Sequence, residues 1–211
     1  MKKNRLLDFL FPPKCIFCQR LLREQEEQIC SDCVSDLPET DEIRPIPLTK
    51  GCKAPFLYCG TVRDAMLRYK FGSRPYYAEV FGPMIAAKLR DCPADYVTWI
   101  PVSALRRFSR GYDQAQLLAE NTAKALGLPC VSTMRKRHTK KQSRLSGFSA
   151  RKANISGSLR IIDRKTVEGK TIILIDDICT TGATMGEAAY VLHLAGAAAI
   201  HGAVYAIAKN R

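Results

Sequence analysis

Ile172, Ile173, Leu174 and Ile175 form an unbroken apolar run that stops at two aspartates, Asp176 and Asp177. Ile178, Cys179, Thr180, Thr181, Gly182, Ala183 and Thr184 follow, and a helical period then covers Thr184–Ala195. A strand without polar alternation is covered on both faces, as in a parallel sheet flanked by helices. In such sheets ligands sit outside the carboxyl ends of the strands, where this run ends. Small residues let successive backbone N–H groups close around a phosphate at a helix N-terminus, and Thr180, Thr181 and Thr184 add hydroxyl donors. Asp176 and Asp177 are placed to accept hydrogen bonds from ribose hydroxyls. The same residues also fit a capped strand–turn–helix corner with no ligand.

The remaining pattern extends this α/β reading. A short strand is expected over Phe56–Gly60, with helices over Val62–Phe71 and Tyr76–Leu89. Tyr96–Val102 reads as a buried strand that includes Trp99, and Asp113–Leu126 as a helix capped by Asp113 and ended by Gly127. Further strands are expected over Pro129–Met134 and Ala197–Ala208, whereas residues 135–157 lack an apolar period and read as a long mobile loop. Strands separated by helices imply a mostly parallel sheet with helices on both faces.

The chain has 211 residues, 46% of them apolar, enough for one ordinary domain and a small appendage. The appendage is written in cysteines. Cys15, Cys18, Cys30 and Cys33 form C-x2-C-x11-C-x2-C, two knuckles that can present four thiolates to one zinc ion. Two redox pairs or two disulfides are the competing readings, and an intracellular chain favours zinc. Four protein ligands close such a site, which makes it structural. Cys52, Cys59, Cys92, Cys130 and Cys179 lack the pattern, and the histidines His138, His193 and His201 are not at metal spacing. Asp36–Pro47 reads as a connector, which gives a zinc-ribbon head and connector over 1–50 and an α/β domain over 51–211.

Charge is unevenly spread. Residues 51–160 carry 20 basic and 6 acidic side chains, and this segment accounts for the net charge of +13. Such a local positive field suits a polyanion: nucleic acid, pyrophosphate or an acidic lipid surface. No run of 18 apolar residues exists, and Pro12 and Pro13 end the short apolar stretch near the N-terminus, so neither a membrane span nor a secretory leader is expected. The expected location is the cytoplasm.

The segment IILIDDICTTGAT resembles the phosphoribosyl-pyrophosphate (PRPP) binding motif of type I phosphoribosyltransferases. Together with the cysteine knuckles, LRYKFG at Leu67–Gly72, IPVS at Ile100–Ser103, RRFSRGYDQAQLLA at Arg106–Ala119 and TKKQSRLSGFSARKANISGSL at Thr139–Leu159, it is similar to the ComF competence-protein family over nearly the whole chain. The resemblance implies a phosphoribosyltransferase-like domain with an N-terminal zinc ribbon, binding PRPP with Mg2+, in proteins linked to uptake of transforming DNA. It places Asp176 and Asp177 at the ribose and the divalent ion, and Thr180, Thr181, Gly182, Ala183 and Thr184 at the 5′-phosphate. Pro101, Val102 and Ser103 match the loop that approaches pyrophosphate. Arg106, Arg107 and Arg110 are the catalytic candidates that neutralise it. Thr139, Lys140, Lys141, Gln142 and Arg144 match the flexible loop that closes over the substrate. A DNA-uptake helicase or other competence proteins are the implied protein partners.

In PRPP the bond from the anomeric carbon to pyrophosphate breaks through an oxocarbenium-like transition state. Catalysis there means stabilising the leaving diphosphate with cations while excluding water. Some base-specific phosphoribosyltransferases carry an acid at the position of Thr180, and this chain does not, so the sequence names no acceptor. Departures from the family pattern are Tyr112 and Asp113 for Phe–Asn, Lys141 for Pro and Leu159 for Phe. A second set of knuckles is reduced to Cys52 and Cys59, so one zinc is expected. A different class of function is a non-catalytic accessory protein that binds single-stranded DNA, with the eight cations between Arg135 and Lys152 tracking the phosphates. Tyr76, Tyr77, Phe108, Tyr112 and Phe148 could supply stacking faces in that case. Cys179, near a helix N-terminus, is a candidate oxidation-sensitive thiol.

Overall fold

A computed structural model describes residues 12–103, 107–109, 111–136 and 158–209. Its centre is the apolar run. It forms β7, Thr171–Cys179, flanked in parallel by β4, Tyr96–Trp99, and by β8, Ala199–Ile207. Beyond β8 the sheet continues through β2, Cys52–Lys53, to an antiparallel edge strand β1, Ile43–Arg44, while β3, Phe56–Leu57, pairs in parallel farther along β8. The connector therefore supplies the sheet edge.

Alternation along β7 divides the core. Ile173 and Ile175 face one side with Tyr205, where they meet α2 (Gly60–Phe71), α3 (Ala78–Ala87) and α4 (Gln114–Leu126). Ile172 and Leu174 face the other, against α5 (Ala183–Leu194). Helices thus cover both faces, as the unalternated strand requires. Asp113 caps α4 by accepting from Gln116 N, and Gly127 ends it with φ 69°, both as expected. α3 and α4 cross closely at Gly82, where a Cβ would lie 2.4 Å from Asn121 Cβ.

Several boundaries differ from expectation. β7 runs on through Asp176, Asp177 and Ile178 to Cys179, because Asp176, Ile178 and Cys179 still pair with β8, and α5 begins at Ala183. The strand expected over Pro129–Met134 is reduced to a single parallel bridge between Val97 and Cys130. Pro129 has no N–H to extend that ladder, and the chain turns away to form β5, Met134–Lys136, antiparallel to β6, Leu159–Ile161. Arg135 and Lys136 are therefore in a strand and not in a loop. The chain before α3 forms a 3₁₀ turn at Pro75–Tyr77.

The head docks on the α2–α3 face. Among its described residues, helix α1 spans Ser31–Asp36. Phe17 is buried, with its ring 6.0 Å from Phe56 and 6.1 Å from Phe81. Arg68 on α2 donates to the carbonyls of Ile16 and Phe17, and Gln19 donates to the Tyr77 hydroxyl.

Candidate functional site

Asp176 and Asp177 are neighbours on a strand, so their side chains leave opposite faces of the sheet. Asp176 lines a small open cavity together with Thr180, Thr181, Gly182, Ala183 and Thr184. Asp177 turns toward α2, where its carboxylate meets Lys70 at 2.8 Å. The Asp177 N–H donates to Asp176 Oδ1 at 2.8 Å, which keeps the two carboxyls coupled through one peptide. Burial and the charge of Asp177 push the Asp176 carboxyl up to about 8, against a smaller opposing effect of that hydrogen bond and of Lys70 and Lys136. It is a carboxyl that gains from a cation brought to it.

The loop that closes the cavity has only three residues, Thr180–Gly182, because β7 is long. Gly182 adopts φ 77°, a left-handed conformation that suits glycine, and precedes α5 without a side-chain cap of its own. Thr181 Oγ1 accepts from Ala183 N at 3.4 Å, a long contact that leaves the start of α5 open toward the cavity. A Cβ on Gly182 would lie 2.2 Å from Ile46 Cδ1, so the loop rests directly on the connector. Arg44, beside Ile46 in sequence and buried, donates from Nη1 to the Thr180 carbonyl at 2.6 Å and from Nη2 to the Ala208 carbonyl at 2.8 Å.

Behind the loop lie two buried cysteines. Cys179 ends β7 and Cys52 lies on β2. The hydrogen bond with Cys52 and the proximity of Arg44 hold the Cys179 thiol down at about 7 despite burial, and Cys52 is pushed up.

Pro101, Val102 and Ser103 follow β4 at the same end of the sheet. Asp113 holds this turn from behind: its Oδ2 accepts from Val102 N at 3.0 Å and its Oδ1 from Gln116 N at 3.2 Å. The carboxylate that stands in place of the usual Asn is thus taken up by backbone donors, and burial raises its pKa. Arg107 is exposed and its N–H donates to the Ser103 carbonyl at 2.9 Å, which keeps the arginine beside the turn. Arg106 and Arg110 lie outside the described residues, as do Thr139, Lys140, Lys141, Gln142 and Arg144 of the flexible-loop candidate, and Phe148. Of the stacking candidates, Phe108 and Tyr76 are exposed and Tyr77 is buried.

The cysteine cluster forms as expected. One sulfur from each of Cys15, Cys18, Cys30 and Cys33 lies within 4.8 Å of all the others, and among the described residues this is one four-cysteine group. The Cys30 and Cys33 N–H groups donate to the sulfurs of Cys15 and Cys30 at 3.4 Å. Sulfur-only donors gathered this closely fit a structural zinc ion.

Sequence reasoning missed Lys70 and Arg44. Lys70 lies in LRYKFG, where its position near the end of a basic helix reads as an ordinary helix-terminal cation. Arg44 lies in a stretch that carries only connector signals.

Residues 6–45 match the family model described as a double zinc ribbon domain, and residues 113–211 match the phosphoribosyl transferase domain. Among curated proteins, the chain is 27% identical to competence protein ComFC of Streptococcus pneumoniae, over 87% of this chain and 95% of that protein. It is 29% identical to ComFC of Bacillus subtilis, over 88% of this chain and 73% of that one. The chain is a homologue of the ComFC competence proteins. The relationship extends to the DNA utilization protein YhgH of Escherichia coli, 26% identical over 88% of this chain and 86% of that protein. Among solved structures, glutamine PRPP amidotransferase from B. subtilis aligns over 64% of this chain and 30% of its own, with 24% identity and a TM-score of 0.46. The zinc ribbon and the phosphoribosyltransferase-like sheet account for both matched regions. No helix among the described residues is long and apolar enough to cross a membrane.

Proposed function

We propose that this ComFC homologue binds PRPP with magnesium at the carboxyl end of its sheet and serves DNA uptake or DNA utilization in the cytoplasm. The observation that carries the reading is the sharing of one cavity by Asp176 and Thr180–Thr184 at an open helix start. The 5′-phosphate lies against the Thr180–Thr184 backbone and hydroxyls, and the ribose hydroxyls against Asp176, while Asp177 stays with Lys70 on the other face of the strand. The raised Asp176 carboxyl suits a site completed by a divalent cation. Magnesium, when bound, supplies charge that steadies the diphosphate. The Pro101–Ser103 turn, fixed by Asp113, offers backbone to the diphosphate, with Arg107 beside it and Arg106 and Arg110 in the same segment.

If a phosphoribosyl group is transferred, these cations take the charge of the departing diphosphate, and the Thr139–Arg144 segment excludes water. The acceptor is a group other than one activated by an acid at Thr180. Residues 1–50 act as a zinc-bearing head and connector, and 51–211 as the ligand-binding unit.

The test is calorimetric titration of PRPP into the zinc-loaded protein with magnesium, beside an Asp176→Ala, Asp177→Ala double variant. Micromolar binding by the wild type that the variant loses supports the site. An absence of binding by the wild type rejects it.

The second reading, binding of single-stranded DNA, is favoured by the +14 excess of residues 51–160 and by the names of the relatives. It predicts an affinity that falls steeply with salt and is lost when the cations of 135–152 are neutralised. Binding that is insensitive to salt would reject it.

A further inference from the structure

We propose that Arg44 is a positioning residue for anion binding: by holding the Thr180 carbonyl it fixes the Thr180–Thr181 peptide so that the Thr181 N–H faces a bound phosphate. The inference rests on the reading of Thr180–Thr184 as a phosphate loop.

Arg44 is 6% exposed, an unusual position for a guanidinium, and each face of its fork is used. Nη1 donates to Thr180 O at 2.6 Å and Nη2 to Ala208 O at 2.8 Å, while Glu42 Oε1 takes Nε at 3.2 Å and Nη2 at 2.8 Å. Ala208 N in turn donates to Cys179 O at 2.9 Å, so the fork spans the ends of β7 and β8. In a planar trans peptide the C=O and the following N–H point in opposite directions. A Thr180 carbonyl held toward the connector therefore turns the Thr181 N–H away from it.

Ile46 supports the same loop from the same side, under Gly182. The two connector residues back the loop, and the cavity lined by Asp176 and Thr184 adjoins it. A flipped Thr180–Thr181 peptide would strand a buried cation without one of its acceptors, which makes the flip costly. Lysine cannot replace this arrangement. Its single ammonium lacks the planar fork that reaches two carbonyls and a carboxylate at once.

The experiment measures ribose 5-phosphate and magnesium pyrophosphate separately, by titration calorimetry on the full-length zinc-loaded chain, for wild type, Arg44→Lys and Arg44→Met. The expected result is a loss of about tenfold or more in affinity for ribose 5-phosphate, the size of a lost charge-assisted hydrogen bond, with pyrophosphate affinity unchanged. Equal loss for both ligands would mean a general structural role and overturn the proposal, as would no loss for either. A second measurement needs no variant. In the wild type the Thr181 amide proton should move downfield as ribose 5-phosphate saturates the protein, and an unmoved resonance at saturation overturns the proposal. Failure of the wild type to bind ribose 5-phosphate at all rejects the phosphate-loop reading itself, and the inference with it.

Discussion

Lys70 Nζ lies 2.8 Å from Asp177 Oδ2, with both side chains largely out of solvent. The pair ties the end of α2 to β7 beside Asp176. A half-removed buried pair leaves an uncompensated charge, whereas removing both partners costs far less. Lys70→Met is therefore expected to destabilise the fold by about 2–3 kcal/mol, and the Lys70→Met, Asp177→Asn double variant to recover most of that loss. Urea denaturation of the four species measures the coupling. Additive losses would show that the contact contributes nothing beyond its parts.

The elevated carboxyl of Asp176 makes stability depend on pH. Its folded value of about 8 lies above its ordinary value of 3.8, so the native state binds the extra proton between those limits. Stability from this group falls as pH rises from about 4 to about 8. Asp176→Asn removes that penalty and is expected to raise the melting temperature at pH 8 by roughly 2–4 °C or more, with a smaller gain at pH 5. A gain independent of pH would place the effect elsewhere.

Ligand binding should show the converse. A magnesium–PRPP complex that needs Asp176 ionised must displace its proton, so affinity is expected to rise between pH 6 and pH 8 with proton release. Titration calorimetry in buffers of different ionisation enthalpy reads that proton directly. Equal apparent enthalpies in all buffers would exclude the coupling.

Zinc should support the ligand-binding unit from a distance. Cys15 and Cys18 bracket Ile16 and Phe17, whose carbonyls accept from Arg68, two residues before Lys70 on the same helix. Chelation is expected to remove about one zinc per chain and to lower the melting temperature of the whole protein, not of the head alone. Phe17→Ala, which empties the space between Phe56 and Phe81, should cost about 3–5 kcal/mol while zinc is retained. A separate low-temperature transition for the head would contradict the coupling.

Gly182→Ala tests the seat of the phosphate loop. The substitution meets both a left-handed backbone and Ile46 Cδ1, and is expected to weaken ribose 5-phosphate binding. Ile46→Ala removes the collision but not the backbone strain, so the double variant should recover part of the affinity. Full recovery would show that backbone conformation at Gly182 is immaterial.

The cysteine spacing, the unalternated β7 and the Asp113–Gly127 helix signals were legible because each is local. Four thiolates within a short stretch, a strand period and two helix caps depend on neighbours along the chain. The parallel sheet with helices on both faces follows from them, as does the position of Asp176 and the threonines beside the start of α5. The reach of β7 past its aspartates was not legible, because pairing with β8 and not local apolarity extends it. Nor was the loss of the strand at Pro129–Met134, where a missing N–H and the pairing of β5 with β6 override the apolar pattern.

By itself the sequence determined the cysteine knuckles, the α/β class and Asp176 and Thr180–Thr184 of the cavity lining, since these arise from short-range periodicity and ligand chemistry. Only the tertiary structure decided what surrounds them. Arg44 and Thr180 are 136 residues apart, and Lys70 reaches Asp177 from a separate helix. A lone basic residue in a connector or helix carries no local sign of the carbonyl or carboxylate it will meet. Its partner is chosen when the sheet edge and helix pack around β7, because a cation withdrawn from water there must find an acceptor.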